Sequence, residues 1–529
     1  MSLLSVTPAE GIKVTEDDLA AIADKYGYEF KDNEKAEYTT LLAATCNAMQ
    51  FVSEMDDYQP EADFELTPRE NIYLPGKSEN QDNAWAYRFH LSHKSPSSTL
   101  LKGKTLCIKD NICVAGVPCL VGTETFTNWT PKTDATIVTR ILSAGGIITG
   151  KAVCENLSTS AASFTAATGP ISNPYAKGYS AGGSSSGTAN LVAKGEVDLG
   201  VGADQGGSIR IPASLCGLVG FKATSGLVPY TGCVSNEATI DYVGPITRTV
   251  MDNALLLEVI AGVDGLDDRQ RAGTPFPDQV PKYSQLLLET KDAGVKGMKI
   301  GILKEGLSST ILDKGVETKF RAAAAVFMEL GAVVEEVSVP MHEIAPAIFG
   351  AMSRQGGAMG RAGKASGRRQ VMLTDLYEKM LPCTADTIEK MSAVSKNTFF
   401  AGDYCWERFP QVYAKAVNLS RKLSEAYDAA FKSYDVLIMP TTITPADPLP
   451  APTDSPITKM SKTIGKLDNT CPFNATGHPA LAFPIGFVDA KEEGVRVPAS
   501  MQIVGRNWDE IGCLKVAFAW ENARGWKEF

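Results

Sequence analysis

Residues 178–213 read GYSAGGSSSGTANLVAKGEVDLGVGADQGGSIRIPA. Two glycine- and serine-rich loops, Gly178–Ala189 and Gly202–Ala213, flank a short apolar run, Glu196–Ala203, of a length that suits a buried strand. From Gly178 to Gly232, 13 of 55 residues are glycine, against 47 of 529 overall. Glycine lets the backbone take positive φ or approach a ligand closely, at an entropic cost. Composition alone leaves two readings open for this stretch, a binding site or tight packing between elements.

Working outward, the same alternation continues. Lys104–Lys109 and Gly146–Lys151 read as strands with a helix, Asp134–Ala144, between them. Met298–Leu303, Val333–Val337, Val436–Met439, Ala480–Ile485 and Ala499–Val504 are further strand candidates. Val316–Leu330, Leu373–Ala393 and Trp406–Ser433 carry helical patterns. Short apolar strands alternating with helices predict an α/β fold, a mixed central sheet with helices on both faces. The first 95 residues differ. Thr15 ahead of Glu16, Asp17 and Asp18 is a helix cap, and Asn33–Met55 sets Leu41, Leu42, Thr45, Met49 and Val52 near one face. Gln59–Pro75 reads as a linker. The chain therefore divides into an amino-terminal helical extension with linker, 1–95, and a catalytic domain, 96–529. The extension serves either as a homodimer contact or as a structural appendage.

Composition bounds the function. The 51 basic and 61 acidic residues leave a net charge of −10, with no basic run to hold phosphates, so a nucleic-acid partner is not expected. No apolar stretch is long enough to span a bilayer, and MSLLSVTPAEGIKVTEDD lacks a secretory pattern. Eleven cysteines, an odd count without a CxxC pair, fit reduced thiols in the cytoplasm better than disulfides or zinc. No His, Cys and carboxylate cluster stands at ligand spacing, so no metal or cofactor is implied.

Gly178–Gly182 satisfies the G-x-S-x-G pattern of a nucleophile elbow, which needs a strand before the serine and a catalytic histidine. The preceding PISNPYAK carries two prolines and is no strand. Of four histidines only His478 could serve, and its Gly-His-Pro turn suits loop structuring. A histidine-poor chain with serine-rich loops points instead to a lysine base, since burial can strip an ammonium of its charge. Lys109, ending the apolar run in LCIKDNI, is the candidate; alone, such a lysine is equally a solvated strand end.

Lys109 in IKDN, GGSSSG at Gly182–Gly187 and DQGGSIRIPA at Asp204–Ala213 together resemble the amidase signature family. Asn173-Pro174, CGLVGFK from Cys216 and TGHPA from Thr476 extend the resemblance over about Lys102–Trp520. The wording GYSAGGSSSG, ADQGGSIRIP and GKAVCENL, with the helical extension, is most similar to its broad-range amidases. The resemblance implies Ser208 as nucleophile, Ser184 as relay serine after a cis peptide bond, and Lys109 as base; the residues themselves do not choose among Ser184, Ser185 and Ser186. It implies an oxyanion hole from Gln205, Gly206, Gly207 and Ser208. Tyr179 and Ser180, with Ser184, are expected at the substrate or in packing, and Asp204 and Arg210 as a brace. Ala203 departs from the Thr common at its position. The implied reaction is hydrolysis of small aliphatic or aromatic amides to acid and ammonia through a seryl acyl-enzyme. The alternatives are the glutamine-hydrolysing subunit of a transfer-RNA amidotransferase and a fatty acid amide hydrolase-like enzyme.

Overall fold

A computed structural model describes residues 6–8, 10–361 and 367–529. Contacts group the chain into two units, Met1–Gln59 and Pro60–Phe529. The first five residues of the expected extension lie outside the described residues. Within the smaller unit, α1 (Glu16–Asp24) opens on a capping box, in which Asp18 N donates to Thr15 Oγ1 (3.2 Å) and Thr15 N to the Asp18 carboxylate (2.8 Å). α2 follows at Asp32–Ser53, and its Leu41, Met49 and Val52 are exposed.

The larger unit is built on one sheet of twelve strands. In chain order these are β1 (Arg69–Tyr73), β2 (Trp85–Leu91), β3 (Thr105–Lys109), β4 (Ile147–Ala152), β5 (Leu199–Asp204), β6 (Val219–Lys222), β7 (Tyr242–Thr247), β8 (Lys299–Leu303), β9 (Val333–Val337), β10 (Val436–Pro440), β11 (Ala480–Asp489) and β12 (Arg496–Gly505). Their order across the sheet is β1-β2-β4-β3-β5-β7-β6-β11-β12-β10-β8-β9. β3 runs parallel to β4 and β5, and β8 parallel to β9 and β10, while the remaining neighbours are antiparallel. The fold is thus α/β with a mixed sheet. Leu106 and Ile108 of β3 enter one apolar cluster and Cys107 enters another, as period-2 alternation requires of a strand covered on both faces.

All eight expected strands are present within a few residues of their predicted bounds. Four more were not anticipated. β1 and β2 fall inside the expected extension and linker, yet they join the sheet: Trp85, Phe89 and Leu91 are buried, and β2 pairs with β4. The compact body accordingly begins at Pro60 rather than near residue 96. Two expected helices are each broken at a proline. Leu373–Ala393 separates into Thr374–Met380 and Ala385–Glu389 around Pro382. Trp406–Ser433 splits at Phe409-Pro410 into the end of Ala393–Arg408 and a second helix, Val412–Ala430. A proline inside a helix removes a hydrogen bond and clashes with the preceding turn.

Candidate active site

β3 and β5 lie side by side and end at the same edge, so Lys109 and Asp204, their last residues, are delivered together. Carboxyl ends of parallel strands are where open α/β sheets hold their ligands. α3 (Ser186–Lys194) begins directly after Ser184 and Ser185, and the turn Gln205–Ile209 leads from β5 into α4 (Arg210–Leu215). Ser185 N donates to Ser208 O (3.3 Å), which ties the two serine loops together.

Lys109 Nζ donates to Ser184 Oγ at 2.7 Å and to the Ala203 carbonyl at 3.2 Å. Both Lys109 and Ser184 are fully buried, whereas Ser208 keeps 7% exposure and lies on the wall of a cavity. Burial pulls the Lys109 ammonium down to about 8, against a partial restoring pull from Asp204, Glu155 and Asp241. An amine so placed can exchange a proton with a hydroxyl near neutral pH. The peptide Gly183–Ser184 is cis, as the resemblance implied. The departure at 203 leaves this contact intact, because the Ala203 carbonyl makes it, and Ser185 Oγ also donates there (3.2 Å).

Asp204 and Arg210 form a buried, bidentate ion pair, with Nε to Oδ2 and Nη2 to Oδ1 both at 3.0 Å. Burial alone would raise the Asp204 carboxyl, but Arg210, Asn474 and backbone N–H groups outweigh it and hold it at about 2. Arg210 continues to Thr470 O (2.8 Å), Gln502 Oε1 (2.7 Å) and Asn474 Oδ1 (2.7 Å), and so links the loop to the helix Cys471–Thr476 and to β12. Asp204 Oδ1 also accepts from Gly207 N at 2.6 Å. That bond engages one of the four N–H groups expected in the oxyanion hole. Gly207 has φ +137°, and a Cβ there would stand 2.4 Å from Thr470 Oγ1, so the turn requires glycine.

On the other loop, Glu155 is buried and accepts from Ser186 Oγ (2.8 Å) and from Thr165 N and Oγ1 (2.6 Å each), while its own N donates to Ser184 O (3.1 Å). Burial raises its carboxyl to about 7.

The cavity at Ser208 encloses about 700 Å³ including its open mouth, a size suited to a small molecule. Gln205, Gly206 and Ser208 line it together with the polar Ser158, Ser160 and Asn236 and the apolar Ile240, Phe349, Val394, Met460 and Leu467. Phe349, on the helix Ala345–Arg361, lies so close over Gly206 that a Cβ there would meet its ring at 2.7 Å. These walls were not found from sequence, because they come from helices and loops far apart in the chain and without a motif.

Tyr179 and Ser180 do not line this cavity. Ser180 Oγ accepts from Ser163 N (3.1 Å) and Gly182 N (3.0 Å), and the Tyr179 backbone bridges to Pro448. Both brace the loop instead. His478 is buried between Thr476 Oγ1 (2.9 Å) and Asp428 Oδ1 (3.1 Å). It has the loop-structuring role expected, and no strand precedes Ser180.

Compared with known proteins, residues 78–514 match the family model described as Amidase. The chain is 38% identical over 465 residues to an enantioselective amidase from Rhodococcus rhodochrous, covering 87% of this chain and 86% of that one. It is 34% identical over 436 residues to a glutamyl-tRNA(Gln) amidotransferase subunit from Geobacillus stearothermophilus, covering 81% and 85%. Among solved structures, the native peptide amidase of Stenotrophomonas maltophilia superimposes with a TM-score of 0.66 at 26% identity, covering 80% of this chain and 83% of that one.

Proposed function

We propose that this chain, which belongs to the amidase family and is a hydrolase acting on amide C–N bonds, works as a stand-alone amidase. It releases ammonia from small carboxylic amides through a seryl acyl-enzyme. The observation that carries the reading is the 2.7 Å contact between a buried lysine of lowered pKa and Ser184, beside a Ser208 that opens on a small-molecule cavity.

In this reading Lys109 accepts the proton of Ser184, Ser184 that of Ser208, and Ser208 Oγ bonds to the carbonyl carbon. The relay returns the proton to the amide nitrogen as the C–N bond breaks, and ammonia leaves. Water then enters, gives its proton to the same relay, and its hydroxyl releases the acid while Ser208 regains its hydrogen. The N–H groups of Gln205, Gly206 and Ser208 stabilise the oxyanion, each by about 3–4 kcal/mol, with Gly207 holding the turn in place. On this reading the enzyme works in the cytoplasm as a homodimer through its amino-terminal helical extension, where Leu41, Met49 and Val52 are exposed.

The likeness to amidotransferase subunits supports a second reading, glutamine hydrolysis for a transfer-RNA-bound partner. Ammonia release from a panel of aliphatic and aromatic primary amides, wild type beside Ser208→Ala, decides between them. Release by the lone chain that vanishes in the variant supports the amidase. A lone chain silent on every amide, and active on glutamine only with a partner protein, overturns it.

A further inference from the structure

The helix Ala345–Arg361 brings a charge to the cavity for which the reaction above has no use. Arg354 lines the same cavity as Ser208, and its Nη1 donates to Thr398 Oγ1 at 3.2 Å on the helix Ala393–Arg408. Among the described residues no carboxylate pairs with it. Burial pulls its guanidinium below the ordinary value, the sign of a cation without compensation. Glu237 also lines the cavity and brings a carboxylate to it; Tyr413 Oη (2.8 Å), Thr239 N (3.2 Å) and Thr239 Oγ1 (2.7 Å) all donate to its Oε1, and it is not ion-paired with Arg354. A half-buried guanidinium with one neutral partner keeps most of its five donors for something else. An anionic ligand group can take those donors.

The helix also sets the distance. Phe349 packs over Gly206 beside Ser208, and Arg354 is five residues further along, which places it about 7.5 Å away along the axis. Ile240, Phe349, Val394, Met460 and Leu467 supply an apolar wall to the cavity. The site therefore offers an oxyanion turn, an apolar stretch and a cation in one cavity.

We propose that Arg354 is a specificity-determining residue that receives a carboxylate at the far end of the acyl chain, so that the preferred substrates are half-amides of dicarboxylic acids. This rests on the amidase reading of Ser208. A guanidinium fork matches a carboxylate bidentately, which a lysine cannot reproduce.

The test compares adipamic acid with hexanamide, which has the same chain length but no carboxylate, in wild type, Arg354→Gln and Arg354→Lys. The wild-type ratio of kcat/KM values, adipamate over hexanamide, is expected above 10, about the factor that a single charge-assisted contact supplies. Arg354→Gln lowers that ratio about 100-fold, mostly through KM for adipamate, as loss of one partner of a buried charge pair does. Arg354→Lys falls between the two. A wild-type ratio at or below one overturns the proposal, whatever the variants do. So does an Arg354→Gln that slows both amides equally, which marks a purely structural arginine. Hexanamide turnover that depends on Ser208 but comes with no anionic preference removes this inference alone. Absence of turnover on both amides removes the amidase reading with it.

Discussion

Asp204→Asn keeps the shape of the side chain and removes its charge. In the structure the carboxylate accepts five hydrogen bonds, from Arg210 Nε and Nη2, Gly207 N, Ile209 N and Asn474 Nδ2. The amide in its place turns an NH₂ toward donors and strands the Arg210 charge in a fully buried position. Leaving one member of such a pair costs about 3–5 kcal/mol. Unfolding the roughly 470 residues of Pro60–Phe529 carries an entropy of about 1 kcal/mol/K. The expected fall in Tm is therefore only about 3–5 °C, readable by differential scanning calorimetry. Turnover suffers more. The Gly207 N–H bond fixes the turn that presents Ser208, and a misplacement near 1 Å lowers a rate about 100-fold. The double variant Asp204→Leu with Arg210→Met removes both charges but leaves their buried neutral partners unsatisfied, so it loses less Tm than the two single variants summed and recovers none of the turnover. If Asp204→Asn melts within a degree of wild type and hydrolyses amides normally, the ion pair is not what holds the turn. A double variant whose loss of stability equals the sum of the single ones refutes the coupling.

The pH profile follows from Lys109. The base must be neutral, and with its pKa near 8 the neutral fraction is about one tenth at pH 7, so kcat/KM rises from pH 6 to 9 and levels off above. A profile flat from pH 5 upward counts against this lysine. Lys109→Ala lowers kcat by several orders of magnitude while Tm holds, and near-wild-type turnover moves the base elsewhere. Gly207→Ala, which presses a methyl against Thr470 and Ile211, destabilises by about 1–3 kcal/mol. Gly76→Ala, with open space around it, does not, and equal chemical denaturation midpoints for the two refute the steric argument.

What the sequence disclosed depended on how locally each feature is encoded. β3, β4 and β5 are short apolar runs, as strands buried on both faces must be, and they were legible. β7 hides a strand behind Gly244 and Pro245, and β6 has only four residues. β1 is mostly exposed and reads as polar loop. The motifs around Lys109, Ser184 and Ser208 are long enough to carry the family resemblance, and it is the resemblance that chooses Ser184 over Ser185 and Ser186. Tyr179 and Ser180 lie close to Ser184 in sequence, but the loop turns them toward Ser163 and Pro448. Phe349 and Arg354 on the helix Ala345–Arg361, and Leu467 on a loop, reach the cavity only through tertiary packing, and no local pattern marks them.

The hold of Lys109 on the Ala203 carbonyl makes the sheet a measuring device. Ile108 lies opposite Val201 and Lys109 opposite Ala152, so strand alignment brings the amine to the Ala203 carbonyl as well as to Ser184 Oγ. Position 203 can then change in identity without loss of its carbonyl contact with Lys109. Inserting a single residue into β3 cannot be forgiven in the same way. A slip of one turns every side chain to the opposite face, and the lysine would point away from its serine in a protein that still folds.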